Sequence, residues 1–450
     1  MNFVETKSEF DRFLNESRSH DWIVIPTYCN DQRPVYVNNI SLLYVYVLRL
    51  DKEYTLIFNH SEGLQIPYEC LKNLPTDNQI FVYEKKKLLR FISNKNLIDV
   101  NMVEYFYKNS SIEEDFDTST HDFFVKSHSD FSDLNTIIPI SKHIEKSQAI
   151  CNRFLEVYEF FNPDDAFYKY NDLIIESLQK VEKNGLYINY ELFKKKFSEN
   201  KDFESFTYSE YNLYTSTGRP SNRFAGINFA ALNKENGQRS AFVSRFGERG
   251  FMMSFDYDAY HIRLLSDLID YSMPSDCSAH EYLGKYYFNK SELSAEEYQE
   301  AKSISFRQLY GGISREYLEI PFFFKVHEYT KLLWEKFKET GYIETPLFSR
   351  KLHSSFFTDM NAAKLLNYLL QSYETERNMA VIYNIHHRIQ SFSSKLILYT
   401  YDSFLFDFDK RDGGKLIKIL KEELEQNGKF PTKLEIGPDY HNMIPIVRKF

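Results

Sequence analysis

Two acidic residues lie where short apolar runs end. Phe251-Met-Met-Ser-Phe-Asp256 reads as a buried strand that delivers a carboxylate, and Ile262, Leu265 and Ile269 follow at roughly helical spacing. Asp256 thus stands at a strand-to-helix corner. Lys395–Phe408 is two apolar runs about a polar break, which predicts a hairpin with Asp402 at its turn. Carboxylates presented by strand ends can grip divalent cations, and two such ions about 3.5–4 Å apart can activate an attacking hydroxyl while stabilising a leaving phosphate oxygen. The bland alternative is a pair of turn-capping aspartates.

Between the two acids, Ser294-Ala-Glu-Glu297 is a capping box, opening a helix predicted to run to Tyr310 and to stop at Gly311-Gly312. On it Lys302, Phe306 and Tyr310 stand at i, i+4 and i+8, so a cation and two rings share one face. A nucleotide suits that face. The cation neutralises a triphosphate, a ring packs beside a base, and the glycine pair lets a template strand approach the backbone. An ordinary amphipathic helix with a snorkelling lysine would read the same way in isolation.

Further segments stand in order around these three. Upstream come Tyr214-Thr-Ser-Thr217-Gly218-Arg219-Pro220-Ser221-Asn222-Arg223, then Ile227-Asn228 and Gly237-Gln-Arg239. Phe255-Asp256-Tyr257-Asp258-Ala-Tyr-His261-Ile-Arg263 follows, then Lys302 to Gly312, then Asn367-Tyr-Leu-Leu-Gln371, then Tyr401-Asp402-Ser403. Taken together and in this order they resemble the TGR stretch and motifs A, B and C of family A DNA polymerases, the group that includes bacterial DNA polymerase I and many phage replicases. The resemblance covers residues 171–450, since Leu178–Asn189 is similar to the segment that precedes the family's thumb, and motif B is its most specific piece.

The resemblance implies an α+β multidomain chain: a right-hand polymerase palm with an antiparallel sheet and helical fingers, preceded by an α/β RNase H-like degenerate exonuclease domain. It implies a template-directed DNA polymerase with Asp256, Asp402 and Lys302 as catalytic residues and two Mg²⁺ ions, with Mn²⁺ as substitute, held by Asp256, Asp402 and the backbone carbonyl of Tyr257. Tyr257, His261, Lys302, Phe306 and Tyr310 would bind the nucleotide, and Arg219, Arg239, Asn228, Gln371 and Gly311 the DNA. Surface ion pairs are the alternative for the two arginines. The alternative for the whole chain is an inactive polymerase-like DNA-binding or replisome scaffold protein.

Several positions depart from the family pattern. His261 replaces the Glu that excludes a 2′ hydroxyl, which opens the question of ribonucleotide tolerance, although an imidazole backed by Tyr310 can still fill the space. Tyr298 stands where the family has a phosphate-binding Arg, so Arg307 or Lys285 is expected to compensate. Ser403 and Tyr401 replace the Glu and His that flank the motif C aspartate, and Phe306 replaces a Tyr. Only 17 positions separate Phe197 from Tyr214, too few for a helical thumb. Weak duplex grip follows, so synthesis is expected to be distributive or to rely on a processivity factor or replisome protein.

Residues 20–105 alternate short apolar runs, Trp22–Pro26, Leu42–Leu50, Tyr54–Phe58 and Gln79–Tyr83, with a helical stretch at Lys85–Phe91, which favours a small α/β domain. Its length and texture are those of the family's 3′–5′ exonuclease, yet the first strand holds no acid and Asp99 is isolated, so a remnant without proofreading is expected. The acidic, aperiodic stretch 109–128 reads as a linker. Helical spacing at 138–160 and 171–183 precedes Gly185, a fitting C-cap. The expected division is 1–130 exonuclease-like, 131–213 helical connector with a missing or minimal thumb, 214–270 palm, 271–345 fingers and 346–450 palm.

Composition bounds the rest. The chain has 450 residues, 55 basic against 64 acidic for a net charge of −9, which argues against a uniformly basic nucleic-acid coat but not against a locally basic cleft. Four scattered cysteines suggest neither a zinc site nor a disulfide framework, and no apolar run is long enough to span ~30 Å of hydrocarbon. A cytoplasmic protein of a bacterial host, phage-encoded and binding primer-template DNA and deoxynucleotides with no membrane partner, is the expectation.

Overall fold

A computed structural model describes residues 1–29, 39–60, 62–92, 96–109, 139–159, 161–162, 164–197, 205–222, 227–232 and 234–446. The expected linker at 109–128 and the motif residue Arg223 lie, apart from Asn109, outside the described residues. The chain divides into two compact units, Met1–Ile175 and Glu176–Phe450.

The first unit is built on a sheet of β1 (Asn2–Val4), β2 (Trp22–Cys29), β3 (Asn39–Val47), β4 (Lys52–Ile57), β5 (Ile80–Val82) and β6 (Leu97–Asp99), in the order β1-β4-β3-β2-β5-β6. The neighbours β4, β3 and β2 pair antiparallel, whereas β2, β5 and β6 run parallel. Parallel pairing requires crossovers, and these carry the helical segments. All four expected apolar runs lie in or overlap strands. Helix α1 (Lys7–Ser17) opens with a capping box of Thr6 and Glu9 and packs Phe13 against Trp22 and Tyr54 at ring separations of 5.0 and 4.8 Å. The helix expected at Lys85–Phe91 shrinks to the single turn α2 (Lys85–Leu88). It starts after a left-handed Glu84, and its Lys85 is tied by main chain to Asp99 and by side chain to Asp172.

Asp99 also caps α3 (Val100–Lys108) by accepting from the Met102 amide. Helix α4 (Ile140–Tyr158) sets Phe154 against Phe81 on the sheet, 5.2 Å between rings. That packing lies within the first compact unit, which runs to Ile175. Helix α5 (Asp165–Asn184) carries the chain into the second unit, and Gly185 follows it at φ 59°, as a left-handed C-cap requires.

The second unit begins with β7 (Leu186–Tyr187), α6 (Tyr190–Phe197), β8 (Phe206–Thr207), β9 (Tyr211–Asn212) and β10 (Ser221–Asn222). The described residues between Phe197 and Tyr214 contain no helix. Its centre is an antiparallel sheet of β11 (Gly250–Tyr257), β14 (Lys395–Thr400), β15 (Ser403–Asp409), β16 (Thr432–Gly437) and β17 (Ile444–Pro445), ordered β14-β15-β11-β16-β17. Around it stand α7 (Tyr260–Leu268), α8 (Ala279–Phe288), α9 (Ala295–Gly311), α10 (Pro321–Thr340), α11 (Ala362–Arg388) and α12 (Gly413–Glu425), with a small hairpin of β12 (Tyr342–Glu344) and β13 (Lys351–His353). The capping box is present at α9, where the Ser294 hydroxyl accepts from the Glu297 amide and the Glu297 carboxylate accepts from the Ser294 amide. That helix ends at Gly311, with Gly312 at φ 93°.

One buried cation fastens these elements together. Arg377 on α11, 3% exposed, donates to the hydroxyls of Tyr257 and Tyr260 at 2.8 Å and to the Leu424 carbonyl at 2.7 Å, and lies 3.7 Å over the Phe430 ring. It therefore joins β11, α7, α11 and α12 by charge-assisted bonds in a site with little water. Arg377→Met, which keeps length and removes the donors, is expected to cost about 3 kcal/mol or more, because hydrogen bonds to charged groups contribute ~1.5–3 kcal/mol each. Denaturant unfolding of parent and variant measures it.

Candidate active site

The sheet register brings the two acids together. Asp256 lies opposite Ser403 on β15 and opposite Lys433 on β16, and the Tyr257 amide donates to the Asp402 carbonyl at 3.0 Å. The hairpin turn is Tyr401-Asp402, between paired Thr400 and Ser403. Tyr401 adopts φ 61°, a left-handed conformation that costs a non-glycine residue roughly 1–2 kcal/mol. It is held there by Asn378, whose amide donates to the Tyr401 carbonyl, and by Arg219, stacked 3.7 Å over its ring.

Both carboxylates are exposed to a cleft of about 200 Å³, yet its walls strip much of their hydration. That enclosure, followed by the charge of Asp402, pushes Asp256 up to about 7, against the pull of Lys234 and Lys433. Asp402 is also raised, first by desolvation and then by Glu374, with Arg219 and His261 opposing. Excess negative charge is what a divalent cation would relieve. The donors are hard oxygens, which fits Mg²⁺ or Mn²⁺. Among the described residues no third His, Cys, Asp or Glu completes a cluster, so further ligands would come from backbone carbonyl, solvent and substrate oxygens.

The same cleft is lined by Lys302, Phe306 and Tyr310 of α9, by Tyr257 and His261 at the corner between β11 and α7, and by Arg219. The helical face read from spacing thus faces both acids. Lys302 forms no ion pair with a described residue; its ammonium lies 5.8 Å from the Phe306 ring centre. Phe306 and Tyr310 stack at 5.9 Å and 14° and remain 36% and 41% exposed, leaving aromatic surface open in the cleft.

His261 is part of a relay. Its Nε2 lies 2.6 Å from Glu374, and the Tyr310 hydroxyl lies 2.8 Å from its Nδ1. A carboxylate only accepts, so Nε2 carries a proton, and in the neutral ring Nδ1 accepts from Tyr310. Burial, then Glu374, pushes the Tyr310 phenol up to about 12, so it remains a donor. The other Glu374 oxygen lies 3.3 Å from Arg219, and its side chain is 1% exposed. Glu374 therefore fixes His261 and Arg219 at once.

Four expected DNA-binding residues do not line this cleft. Arg239 spends two guanidinium nitrogens on the Leu232 carbonyl, 2.9 and 2.7 Å away, and stacks 4.6 Å over Tyr440. Gln371 accepts from the Thr217 hydroxyl at 3.0 Å, docking the TGR stretch on α11. Asn228 is exposed before a short 3-10 turn. Gly311 ends α9, with open space where a Cβ would stand. Of the cations expected to compensate for Tyr298, Lys285 is paired with Glu281 at 3.2 Å, and Arg307 does not line the cleft; Lys433 does.

Glu374, Lys433, Asp258 and His280 were not singled out as site residues from the sequence. For Glu374 a signal existed: Asn367, Gln371, Glu374 and Asn378 repeat at helical spacing within an apolar helix. Asp258 is structural, accepting from the Ser278 hydroxyl and the Ala279 amide at the start of α8.

No family model matches the chain, and no curated protein matches it in sequence. Among solved structures it is similar to the POL domain of Pol1 from M. smegmatis, in complex with DNA primer-template and dNTP, at a TM-score of 0.74 and 13% identity, over 98% of this chain and 99% of that one. The chain therefore has the fold of a DNA polymerase domain, mixed α+β with antiparallel sheets. No helix among the described residues is long and apolar enough to cross a membrane.

His280, 3% exposed, is pushed down to about 4, chiefly by burial and then, against the pull of Asp258, by Lys302 and Lys433. Below pH 6.5 the unfolded imidazole binds a proton that the folded one refuses, so the folded state loses stability as pH falls from 6.5 to 4. Thermal unfolding of His280→Gln across this range is expected to show a smaller acid-side fall in Tm than the parent.

Proposed function

We propose that the chain is a template-directed DNA polymerase that adds deoxynucleotides to a primer 3′ end by two-metal-ion nucleotidyl transfer. The observation that carries this reading is the meeting of Asp256 and Asp402 in one cleft opposite Lys302, which forms no ion pair with a described residue. The polymerase-domain fold is independent support. Asp256, Asp402 and the Tyr257 carbonyl would hold Mg²⁺, which supplies a more nucleophilic 3′ hydroxyl and neutralises phosphate charge when bound. Lys302 binds the phosphates and delivers a proton to the departing pyrophosphate. Phe306 and Tyr310 pack against the nucleotide, and the relay of Tyr310, His261 and Glu374 fills the space beside the sugar. Arg219 meets the primer terminus. Exposed Gly311 lets the template pass close to the end of α9, and Arg239, Asn228 and Gln371 contact DNA outside the cleft.

The ordered motifs support a divergent, phage-type member of family A, acting on primer-template DNA in the cytoplasm of a bacterial host. The short connection between Phe197 and Tyr214 supports a minimal or missing thumb and a processivity partner. The antiparallel run β4-β3-β2 continued by parallel β5 and β6 supports an RNase H-like N-terminal domain. Its β2 carries no acid and Asp99 serves as a helix cap, which favours a remnant over a proofreading nuclease.

Primer extension with Mg²⁺ tests the reading. Asp256→Asn and Asp402→Asn are each expected to reduce extension on the order of 10³-fold, the scale of losing one key electrostatic group, with Tm kept. No extension by the parent would leave the DNA-binding scaffold. With ribonucleotides supplied, the parent is expected to prefer deoxynucleotides; equal use would instead identify a sugar-tolerant enzyme, and His261→Glu reports whether the imidazole sets the preference.

A further inference from the structure

Lys433 has no role in the chemistry above, and its place in the sheet gives it one. It sits on β16 directly across from Asp256, and side chains of opposed residues in an antiparallel pair stand on the same face. It lines the cleft together with Lys302, which reaches in from α9. Two ammonium groups therefore enter one cavity from separate elements, one on the sheet and one on a helix.

The structural alternative is that Lys433 exists to neutralise Asp258, 3.0 Å away. That carboxylate is already provided for. Ser278 donates to one oxygen at 2.9 Å, the Ala279 amide to the other at 3.0 Å, and Arg263 lies 3.6 Å from the second. An ammonium has three donors, and the Lys433 side chain is 60% exposed where Asp258 is 7% exposed. Asp258 thus aims the lysine, and donors remain for another anion.

We propose that Lys433 is a second phosphate-binding cation, which grips the β- and γ-phosphates of the incoming nucleotide opposite Lys302 and holds the pyrophosphate until it departs. This deepens the polymerase reading and rests on it. It also answers the absence of a cation at Tyr298: the charge enters from the sheet instead of from α9.

The variants are Lys433→Met, which keeps the aliphatic stem, and Lys433→Arg, which keeps the charge. Lys433→Met is expected to raise KM for deoxynucleotides about tenfold, the value of one charge-assisted contact, with kcat within a few-fold and DNA affinity unchanged. Lys433→Arg is expected to restore most of the loss. Inorganic pyrophosphate is expected to raise the Tm of the parent and to raise that of Lys433→Met distinctly less. An unchanged KM and an unchanged pyrophosphate shift, even with a lower basal Tm, would overturn the proposal and leave Lys433 a structural partner of Asp258. If the parent does not extend primers, the polymerase reading fails, while the pyrophosphate shift still decides whether this lysine takes phosphate.

Discussion

Two like charges are kept in one cleft by backbone pairing, against their mutual repulsion. The ladder between β11 and β15 sets Asp256 beside the hairpin turn that carries Asp402, and the main-chain bond from Tyr257 to Asp402 closes the register at that point. Burial raises both carboxylates above the usual range, with the Asp402 charge adding to it at Asp256 and the Glu374 charge at Asp402, an excess of negative charge that a divalent cation would relieve. Strain of this kind persists only where surrounding structure over-determines it. Here the surroundings are the covered strands and the polar interior of α11.

That helix organises the site from behind. Gln371 docks the Thr217 stretch, Glu374 joins His261 to Arg219, Arg377 clamps Tyr257 and Tyr260, and Asn378 holds Tyr260, Tyr399 and the Tyr401 carbonyl. Asp256 and Asp402 are thus supported through a common element although they are remote in sequence. Glu374 also sets a carboxylate against the His261 imidazole from a different helix, so negative charge stands beside that ring in the cleft.

Local signals made much of this legible. A buried strand ending in an acid, a two-residue hairpin turn and a capping box are each set by a few neighbouring residues, and all three formed as read. So did the face of Lys302, Phe306 and Tyr310, because helical spacing alone fixes which side chains align. Lys433 was not legible: its value arises from pairing with Asp256 across 177 positions of chain, and nothing around it distinguishes it from the other lysines. The polar stripe on α11 was half legible, since Asn367 and Gln371 belong to the ordered segments, whereas Glu374, Arg377 and Asn378 acquire their roles only from partners on other elements. The first unit includes α4, whose aromatics pack onto the sheet, a tertiary contact that periodicity does not specify. Lys85–Phe91 forms only one α-helical turn, whose first residue, Lys85, is held by two aspartates that the local pattern did not reveal.

In the proposed reading Asp256 and Asp402 act as a single cation-binding unit. Titration of Mn²⁺ into the protein with primer-template and a non-hydrolysable nucleotide, read by electron paramagnetic resonance of the bound ion, tests it most directly. Tight, saturable binding that is lost equally in Asp256→Asn and Asp402→Asn is the predicted result. Full binding retained by either variant would show instead that the two carboxylates do not share a metal.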